Sequence, residues 1–393
     1  MEKVVFDNNR DFIPAEEIRL VHSGADYFDT LEEIINNAER TLHFQTYIFD
    51  DDDTGKRVAR LLKTAAQKGV KVFVVLDGFG SKNLSKKFIA NLTDSGVNFR
   101  YFSPFFSFQN IYIGRRLHHK VIVADSKIAL VGGINIADKY RGSVSKIPWL
   151  DFAILVKGNV CEKVNKICDI ICRKQFGLRT RSKKELQEIT TRGNTLISFR
   201  QNDWLRKKNQ ISSGYIRNIR NSKESIVIIA SYFLPGRRLS KALETAAKNN
   251  VKIKIILSGI SDIPLFHLAT SYLYSYLHKH HIEIYEWNKS VLHGKIAVID
   301  GLWTTIGSYN LNHLSALGSI ELNVEVLNAN FANDTENHLY EIIENGCTKI
   351  EMATVFNIRT KILGAFAYFL VRIVVKFLAL FPNMKYLYTR IND

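Results

Sequence analysis

The chain contains one pattern of residues twice, and this internal repeat restricts the possible folds more than any other feature of the sequence. The segment Ala65–Leu76 (AAQKGVKVFVVL) matches Ala246–Leu257 (AAKNNVKIKIIL). Further along, His118–Asn135 (HHKVIVADSKIALVGGIN) matches His293–Asn310 (HGKIAVIDGLWTTIGSYN). Both matches have a similar offset along the chain, so the sequence predicts two copies of one domain.

Each copy alternates strands with helices. A β-rich run leads to a helix that ends near Gly69 or Asn250, followed by an apolar strand, another helix and a strand pair. Strands that alternate with helices of this length are typical of an α/β sheet with helices on its faces. We therefore expect an α/β fold of two tandem domains, each a mixed β-sheet flanked by helices, packed as a pseudo-twofold pair with the functional site between them.

Charge patterning sets the expected domain boundaries. The first domain is predicted at 1–178, the second at 215–345, and a basic amphipathic helix at 346–393. Eleven basic and three acidic residues lie between Arg173 and Lys208, so 179–214 is interpreted as a basic linker or surface elaboration.

Composition excludes several classes of protein. With 46% hydrophobic residues, six prolines and four cysteines in 393 residues, the chain is neither fibrous, disordered nor a disulfide scaffold. The formal net charge of +16 indicates anionic partners, but it does not choose among nucleic acid, phospholipid headgroups and phosphorylated metabolites. The first twenty residues mix acids and bases, which does not predict a secretory signal.

The repeated motif is His-x-Lys, four residues, then Asp. Its members are His118, Lys120 and Asp125 in the first copy and His293, Lys295 and Asp300 in the second. Residues two apart on a strand point to the same side, so each histidine should project with its lysine. His119 points the other way and is interpreted as a packing or surface histidine.

Tight turns should fold each motif back on itself. Asp300-Gly301 is a strong signal for a tight hairpin, and Asp125-Ser126 is a weaker one at the equivalent position. The returning strands should bring Asn135 beside His118 and Asn310 beside His293. Each aspartate lies at its turn with parity opposite to that of the histidine, which favours a structural role over a catalytic one.

Two such hairpin ends placed face to face would supply two imidazoles, two ammonium groups and two carboxamides. This set suits a phosphoryl group without a metal or other cofactor, because lysine and asparagine donors neutralise the oxygens while the histidines carry out covalent and proton-transfer steps.

The paired motifs resemble the HKD signatures of the phospholipase D superfamily, and their flanks resemble bacterial cardiolipin synthases of the short type that lacks N-terminal transmembrane helices. The flanking evidence is GGINIADKY at 132–140, PWLD at 148–151, GSYNLNHLS at 307–315 and ELN at 321–323. The resemblance covers residues 24–328.

The resemblance implies roles for individual residues. His118 would attack the phosphodiester phosphorus to form a phosphohistidine, and His293 would serve as general acid and then general base. Phosphate binding and orientation of the imidazoles would fall to Asn135, Asn310, Ser308, Asp151 and Glu321, alongside Lys120 and Lys295. The resemblance also assigns Asp125 and Asp300 to the catalytic residues, because both belong to the HKD motif.

The reaction that the resemblance implies is phosphatidyl transfer between two molecules of phosphatidylglycerol, giving cardiolipin and glycerol at the cytoplasmic face of a bacterial cell membrane. Three alternatives stay open: phospholipid hydrolysis of the phospholipase D type, a metal-independent nuclease of the same superfamily, and a non-catalytic membrane-binding protein. The oligomeric state also stays open.

Two segments favour lipid over nucleic acid as partner. The stretch Ile362–Phe381 is apolar apart from Arg372 and Lys376. At helical spacing, Lys361, Tyr368, Arg372 and Lys376 form one narrow stripe, which favours a helix lying in the membrane interface over a spanning or a buried one. The segment Phe102–Gly114 is rich in aromatic residues and suggests a loop that meets acyl chains.

Overall fold

Two mixed β-sheets pack face to face, and helices cover their outer faces. The computed structural model describes residues 11–103, 106–107, 110–111, 115–172, 195–203, 206, 208–312, 315, 318–351 and 358–380. Within these residues, the two sheets confirm the predicted pair of tandem α/β domains.

In the part of the chain that the structure describes, the first half contributes eleven strands, and seven of them form one sheet. Its elements are β1 Ile13–Pro14, β2 Glu17–His22, α1 Ala25–Asn36, β3 Thr41–Thr46, α2 Asp53–Gln67, β4 Lys71–Asp77, α3 Lys86–Thr93, β5 Asn98–Phe102, β6 Phe106–Ser107, β7 Asn110–Ile111, β8 Arg116–Leu117, β9 Lys120–Ala124, β10 Ile128–Gly132, α4 Asp138–Arg141, β11 Phe152–Lys157 and α5 Cys161–Cys172. The strand order is β2-β11-β10-β9-β3-β4-β5, while β6 and β7 form a separate two-stranded sheet.

The second half repeats this plan. Its elements are β12 Leu196–Asp203, β13 Lys208–Asn209, α6 Gln210–Asn221, β14 Ser225–Ala230, α7 Arg237–Lys248, β15 Lys252–Ser258, α8 Pro264–Ser271, α9 Tyr274–Lys279, β16 Glu283–Trp287, β17 Lys295–Ile299, β18 Trp303–Gly307, β19 Ser319–Leu327, α10 Ala329–Gly346, β20 Cys347–Lys349 and α11 Ile358–Leu380. The main path of the sheet is β1-β12-β19-β18-β17-β14-β15-β16-β20, with β13 beside β12 and β8 beside β19.

Alternation along the strands explains the layers. On β9, Val121 and Val123 point into the core between the two sheets, which also contains Ile296 and Val298 of β17. The intervening Ile122 joins a second core beneath α1 and α2. Strands that carry apolar residues on both faces must be covered on both sides, and this requirement produces the arrangement helix, sheet, sheet, helix.

Both predicted hairpins are present. Ile128 pairs with Ala124 across the first turn, and Trp303 pairs with Ile299 across the second. Three residues separate each of these pairs, and the first two of the three have positive φ: 53° and 60° at Asp125-Ser126, and 51° and 53° at Asp300-Gly301.

The linker interpretation was wrong for 195–203. These residues form β12, which lies between β1 and β19 in the second sheet. Ile197 and Phe199 are buried in the core between the sheets and alternate with polar residues, a two-residue period that the neighbouring charges obscure. The rest of the basic segment at 173–194 is outside the described residues, as are 104–105, 108–109 and 112–114 of the aromatic segment and the terminal 381–393.

The two halves exchange short pieces of strand. Immediately before the first motif, β8 joins the second sheet and runs parallel to the start of β19. In return, Leu292 immediately before the second motif bridges to Leu150 of the first half. These reciprocal pairings connect each histidine to the half that does not contain it.

Candidate active site

His118 is fixed by the strand exchange at β8. Its backbone N–H donates to the carbonyl oxygen of Ile320, at 3.0 Å, so the next residue of β19 lies beside the imidazole. That residue is Glu321, whose Oε2 is 3.0 Å from His118 Nδ1. The carboxylate is fully buried, and the His118 side chain is 16% exposed.

His293 is held in the same way with the halves reversed. Its backbone N–H donates to the carbonyl oxygen of Leu150 at 2.8 Å, and Asp151 Oδ2 lies 2.6 Å from His293 Nδ1. Each acid therefore contacts Nδ1 of the histidine in the opposite half.

Both motif lysines are buried beside their histidines, as strand parity predicts. Lys120 Nζ donates to the carbonyl oxygen of His118 at 2.6 Å. Lys295 Nζ donates to the carbonyl oxygen of His293 and lies 3.0 Å from Nδ1 of the same residue. Each lysine is only 2% exposed. Two ammonium groups in a buried site are costly without anions, and the carboxylates of Asp151 and Glu321 compensate for them.

The two motif asparagines have different surroundings. Asn135 is buried, and its side chain accepts from the Ile48 N–H at 3.0 Å and donates to the Tyr140 hydroxyl at 2.8 Å. Asn310 accepts from the Ser231 hydroxyl at 2.8 Å and lines the cavity next to His118. Of the two, Asn310 is the one on the cavity wall.

Ser308 and Gly133 occupy equivalent positions in the two hairpins but serve different purposes. The Ser308 hydroxyl donates to Glu321 Oε2 at 2.5 Å. A side chain on Gly133 would collide with the other acid, because its Cβ would lie 2.4 Å from Asp151 Oδ1. The longer glutamate thus has a hydroxyl partner, whereas the shorter aspartate lies against bare backbone.

Asp125 and Asp300 do not belong to this site, which corrects their inclusion in the catalytic set. Each lies seven residues after its histidine, and an extended chain of that length spans roughly 20 Å. Asp125 accepts from the backbone N–H groups of Glu39, Arg40 and Thr41 at 2.8–2.9 Å. Asp300 accepts equivalently from 223–225 at 2.9–3.0 Å. Each aspartate joins its turn to the start of the neighbouring strand, as the parity argument favoured.

Burial dominates the electrostatics. It lowers the pKa of His118, although the Glu321 carboxylate opposes this change. It also lowers the pKa of His293, in the same direction as the Lys295 ammonium. Burial raises the pKa of Asp151 to about 7 and lowers that of Lys120 to about 7. The Asp151–His293 pair can therefore hold one shared proton near neutral pH.

A cavity of about 160 Å³ opens beside His118. Its walls come from both halves and include Tyr47, Arg116, His118, Tyr232, Ile263, Phe266, Asn310, Asn312, Ser315 and Ser319. A larger surface concavity of about 420 Å³ lies around Asp125, at the other end of the first hairpin from the imidazole. The lining of this concavity is polar and comes from the first half alone, whereas the smaller cavity brings polar and aromatic groups together where both halves meet.

Sequence reasoning missed the aromatic residues around the imidazoles. The Tyr47 ring is 4.9 Å from that of His118, and the rings of Tyr140 and Trp149 are 5.4 and 6.1 Å from His293. Tyr47 directly follows β3, and Tyr232 closely follows the equivalent strand β14. Ligands of α/β sheets bind at the carboxyl ends of strands. The position of these tyrosines at the ends of two predicted strands could therefore have identified them as residues near the site.

His119 lies in the core, which is the packing alternative of the two that its parity left open. It is fully buried, and its Nε2 is 2.9 Å from Gln45 Oε1. Burial lowers its pKa to about 3, so this histidine stays neutral.

The site at the interface thus combines the imidazoles of His118 and His293 with the amino groups of Lys120 and Lys295. Such a set can form a covalent bond to a phosphoryl group and move a proton on its opposite side.

Comparison with known proteins agrees with this geometry. The family model described as cardiolipin synthase, PLD-like domain, matches residues 31–142 and 215–343. Cardiolipin synthase B of Escherichia coli is 32% identical over 345 residues, covering 85% of this chain and 82% of that protein. The minor cardiolipin synthase of Bacillus subtilis is 29% identical over 342 residues, covering 86% and 83%.

Solved structures share the fold. The phosphatidylserine synthase of Haemophilus influenzae aligns with a TM-score of 0.73 at 17% identity, covering 93% of this chain and 96% of that one. A polyphosphate kinase from Porphyromonas gingivalis aligns with a TM-score of 0.60 at 14% identity, covering 92% and 54%. The chain belongs to the cardiolipin synthase family of phosphatidyl transferases with paired phospholipase D-like domains.

Proposed function

We propose that this protein transfers a phosphatidyl group from one phosphatidylglycerol molecule to another, producing cardiolipin and glycerol through a phosphohistidine at His118. The observation that supports this proposal most directly is the crossed pairing of His118 with Glu321 and of His293 with Asp151. Both pairs engage Nδ1, which leaves each Nε2 for bonding to phosphorus or for proton transfer.

In the first step, neutral His118 forms a bond from Nε2 to phosphorus, and the bond from phosphorus to the glycerol oxygen breaks. His293 gives its proton to that oxygen, so that glycerol leaves uncharged. In the second step, His293 removes a proton from a hydroxyl group of the acceptor lipid. The acceptor oxygen then bonds to phosphorus, and the bond to His118 breaks.

Lys120, Lys295 and Asn310 would hold the non-bridging oxygens of the phosphoryl group. Charge that develops on these oxygens is stabilised more strongly in a buried site than in water, because the surrounding dielectric constant is low. The Asp151 and Glu321 carboxylates are held by the imidazoles and by Ser308. Each lysine donates one proton to a backbone carbonyl oxygen and keeps ammonium protons for the substrate.

We also propose that the enzyme acts at the cytoplasmic face of a bacterial membrane, with α11 in contact with the lipid. Among the described residues, no helix has both the length and the apolar character needed to cross a bilayer. Arg372 and Tyr368 share one face of α11, as predicted, with a 2.7 Å hydrogen bond between them. Between residues 362 and 373 the exposed side chains include Ile362, Leu363, Phe366, Phe369, Leu370 and Ile373, which suits a position in the membrane interface.

Product analysis tests the reaction. Purified protein is incubated with radiolabelled phosphatidylglycerol in vesicles, with and without a metal chelator, and the lipids are separated by chromatography. We expect cardiolipin and glycerol in equal amounts under both conditions. Phosphatidic acid alone would indicate a hydrolase, cleavage of single-stranded DNA or RNA in a parallel gel assay would indicate a nuclease, and vesicle binding without turnover would indicate a non-catalytic protein.

A further inference from the structure

Exposed apolar side chains are concentrated on two adjoining helices. Fourteen large apolar side chains are exposed among the described residues, and eleven of them lie on α8, on α11 or next to α8. We call these eleven the α8–α11 surface: Ile260, Ile263, Leu265, Leu268, Tyr272, Ile362, Leu363, Phe366, Phe369, Leu370 and Ile373. A contiguous apolar surface of this kind indicates an interaction site.

The packing of α11 against α8 explains why these side chains face outward. The buried face of α11 is built from small or branched residues, with Ala367 and Val371 packed against Ala269. Gly364 lies so close to α8 that an added Cβ would be 3.0 Å from the Leu268 carbonyl oxygen. The small residues thus form the contact between the helices, while Phe366 and Phe369 are 67% and 55% exposed. This is the reverse of a helix that packs its bulky face on a core.

The charge of the two helices favours a lipid bilayer over another protein surface. Neither helix contains an aspartate or glutamate, and α11 has four basic residues. Basic side chains beside a wide apolar face are typical of segments that lie in the interface of an anionic membrane.

The α8–α11 surface continues into the catalytic cavity. Ile263 belongs to this surface and also lines the cavity, together with Phe266 of α8. The Phe266 ring is 5.3 Å from that of Tyr232, which in turn is 6.3 Å from that of His293. A path lined by the apolar side chains of Ile263 and Phe266 and by the Tyr232 ring therefore connects the outside of α8 with the reacting groups. At its edge lies the Asp262 carboxylate, which accepts from the Tyr232 hydroxyl at 2.7 Å.

We propose that α8 and α11 together form one bilayer-contact surface, and that a phospholipid passes from it over Ile263 and Phe266 to present its headgroup to His118. The acyl chains remain against α8 while the phosphate reaches the cavity. This inference rests on the proposed function for its substrate, but it adds α8 as a membrane-binding element and as the entrance to the site.

The test compares two pairs of exposed aliphatic residues, of which the control pair is the more exposed. The double variant Leu265→Ser/Leu268→Ser changes α8, and Val144→Ser/Ile147→Ser changes exposed apolar residues elsewhere. Each protein is sedimented with phosphatidylglycerol-containing vesicles and assayed on those vesicles and on soluble dihexanoyl phosphatidylglycerol. We expect vesicle binding, and the ratio of vesicle to soluble-lipid turnover, to fall about tenfold in the α8 variant, because bilayer affinity scales with buried apolar area. Both should stay within about twofold in the control.

Equal vesicle binding by the two double variants would overturn the docking surface. Light scattering gives the oligomeric state of each protein, and a dimer that dissociates only in the α8 variant would make this surface an interface between copies instead. Sedimentation does not depend on turnover, so it can support or overturn the docking surface even if no cardiolipin is formed and the proposed function fails.

The entrance has its own variant. Ile263→Asp places a charge on the apolar path but leaves ten members of the α8–α11 surface, so we expect turnover to fall while vesicle binding remains. Ile263→Leu keeps the side chain apolar and should therefore lose less turnover than Ile263→Asp. Unchanged turnover in Ile263→Asp would overturn the proposed path.

Discussion

His293 Nδ1 lies 2.6 Å from Oδ2 of Asp151, a residue 142 positions earlier in the chain and in the other half of the molecule. An imidazole that exchanges protons with substrate needs a fixed tautomer, and the carboxylate fixes it. Asp151→Asn keeps the shape of the side chain but not its charge. We expect turnover to fall about a hundredfold or more, the range for loss of general acid-base catalysis. Steady-state assays of the variant would show it, and thermal unfolding close to wild type would rule out misfolding as the cause.

The two histidines should be distinguishable by trapping. His118→Ala and His293→Ala are both expected to abolish turnover, because one removes the nucleophile and the other the proton donor. Wild-type protein is mixed with substrate that is radiolabelled at its phosphorus atom, and the reaction is stopped rapidly without acid. Peptide mapping should then find the label on His118. Label on His293 would reverse the two roles, and full activity of either alanine variant would contradict the two-histidine mechanism.

The rate should depend on pH in a bell shape. On the acid side, turnover rises as His118 loses its proton, at a pH below the ordinary imidazole pKa of 6.5, since burial lowers the pKa of this residue. On the alkaline side, turnover falls near pH 7 and above. There Asp151, with a pKa raised to about 7, loses the proton shared with His293, and Lys120, with a pKa lowered to about 7, loses its charge. Turnover that stays constant between about pH 5 and pH 9 would argue against this assignment.

Reciprocal substitutions at the equivalent positions 133 and 308 should have different effects. Gly133→Ser introduces a Cβ that meets the Asp151 carboxylate at 2.4 Å, and we expect a loss of about 1–3 kcal/mol of stability, as for other overpacked sites. Ser308→Gly removes the hydroxyl that donates to Glu321, and its larger effect should be on turnover through a misplaced His118. Chemical denaturation and steady-state assays of both variants separate the two effects. A stable, fully active Gly133→Ser protein would show that the side chain can be accommodated.

Asp125 and Asp300 should matter for stability and not for chemistry. Replacing Asp125 with Ala leaves three backbone N–H groups without their acceptor, so we expect the free energy of unfolding to fall by about 1–3 kcal/mol. Burial raises the pKa of Asp125, but these three hydrogen bonds outweigh it and lower the pKa overall. The stabilisation is therefore present above the ordinary aspartate pKa of about 4 and is lost as pH falls below it.

Denaturation at neutral and acid pH tests this expectation, and the folded fraction of Asp125→Ala should have wild-type specific activity. A catalytic defect in fully folded Asp125→Ala or Asp300→Ala protein would return these residues to the catalytic set.

The repeat could be predicted because matching segments are visible in the sequence itself. The hairpins and the shared side of each His-Lys pair could be predicted because they depend on residues close together in the chain. Parity also predicted that His119 points away from Lys120, but it left a packing role and a surface role open, and the structure shows the packing role. The sequence could not show which acid serves which histidine, since that depends on β8 crossing to β19 and on Leu150 bridging to Leu292. These contacts join residues more than 100 positions apart, and no local periodicity records them.

Two other features were hidden for different physical reasons. The strand β12 lies in a strongly basic stretch, where the charged neighbours obscured its alternating apolar residues. In α8, the sequence PLFHLATS is typical of an ordinary buried helix. Its exposed leucines become evident only once the small residues of α11 are seen to occupy its other side.

The exchange of strands also affects how the two repeated halves can diverge. A substitution that moves β19 alters the proton position on a histidine of the first half, and a shift near Leu150 does the same to a histidine of the second. Neither half carries a complete His-acid pair, so a single half expressed alone would lack both orienting contacts. Two separately expressed halves could recover function only by binding each other, and the duplicated sequence therefore evolves as one catalytic unit.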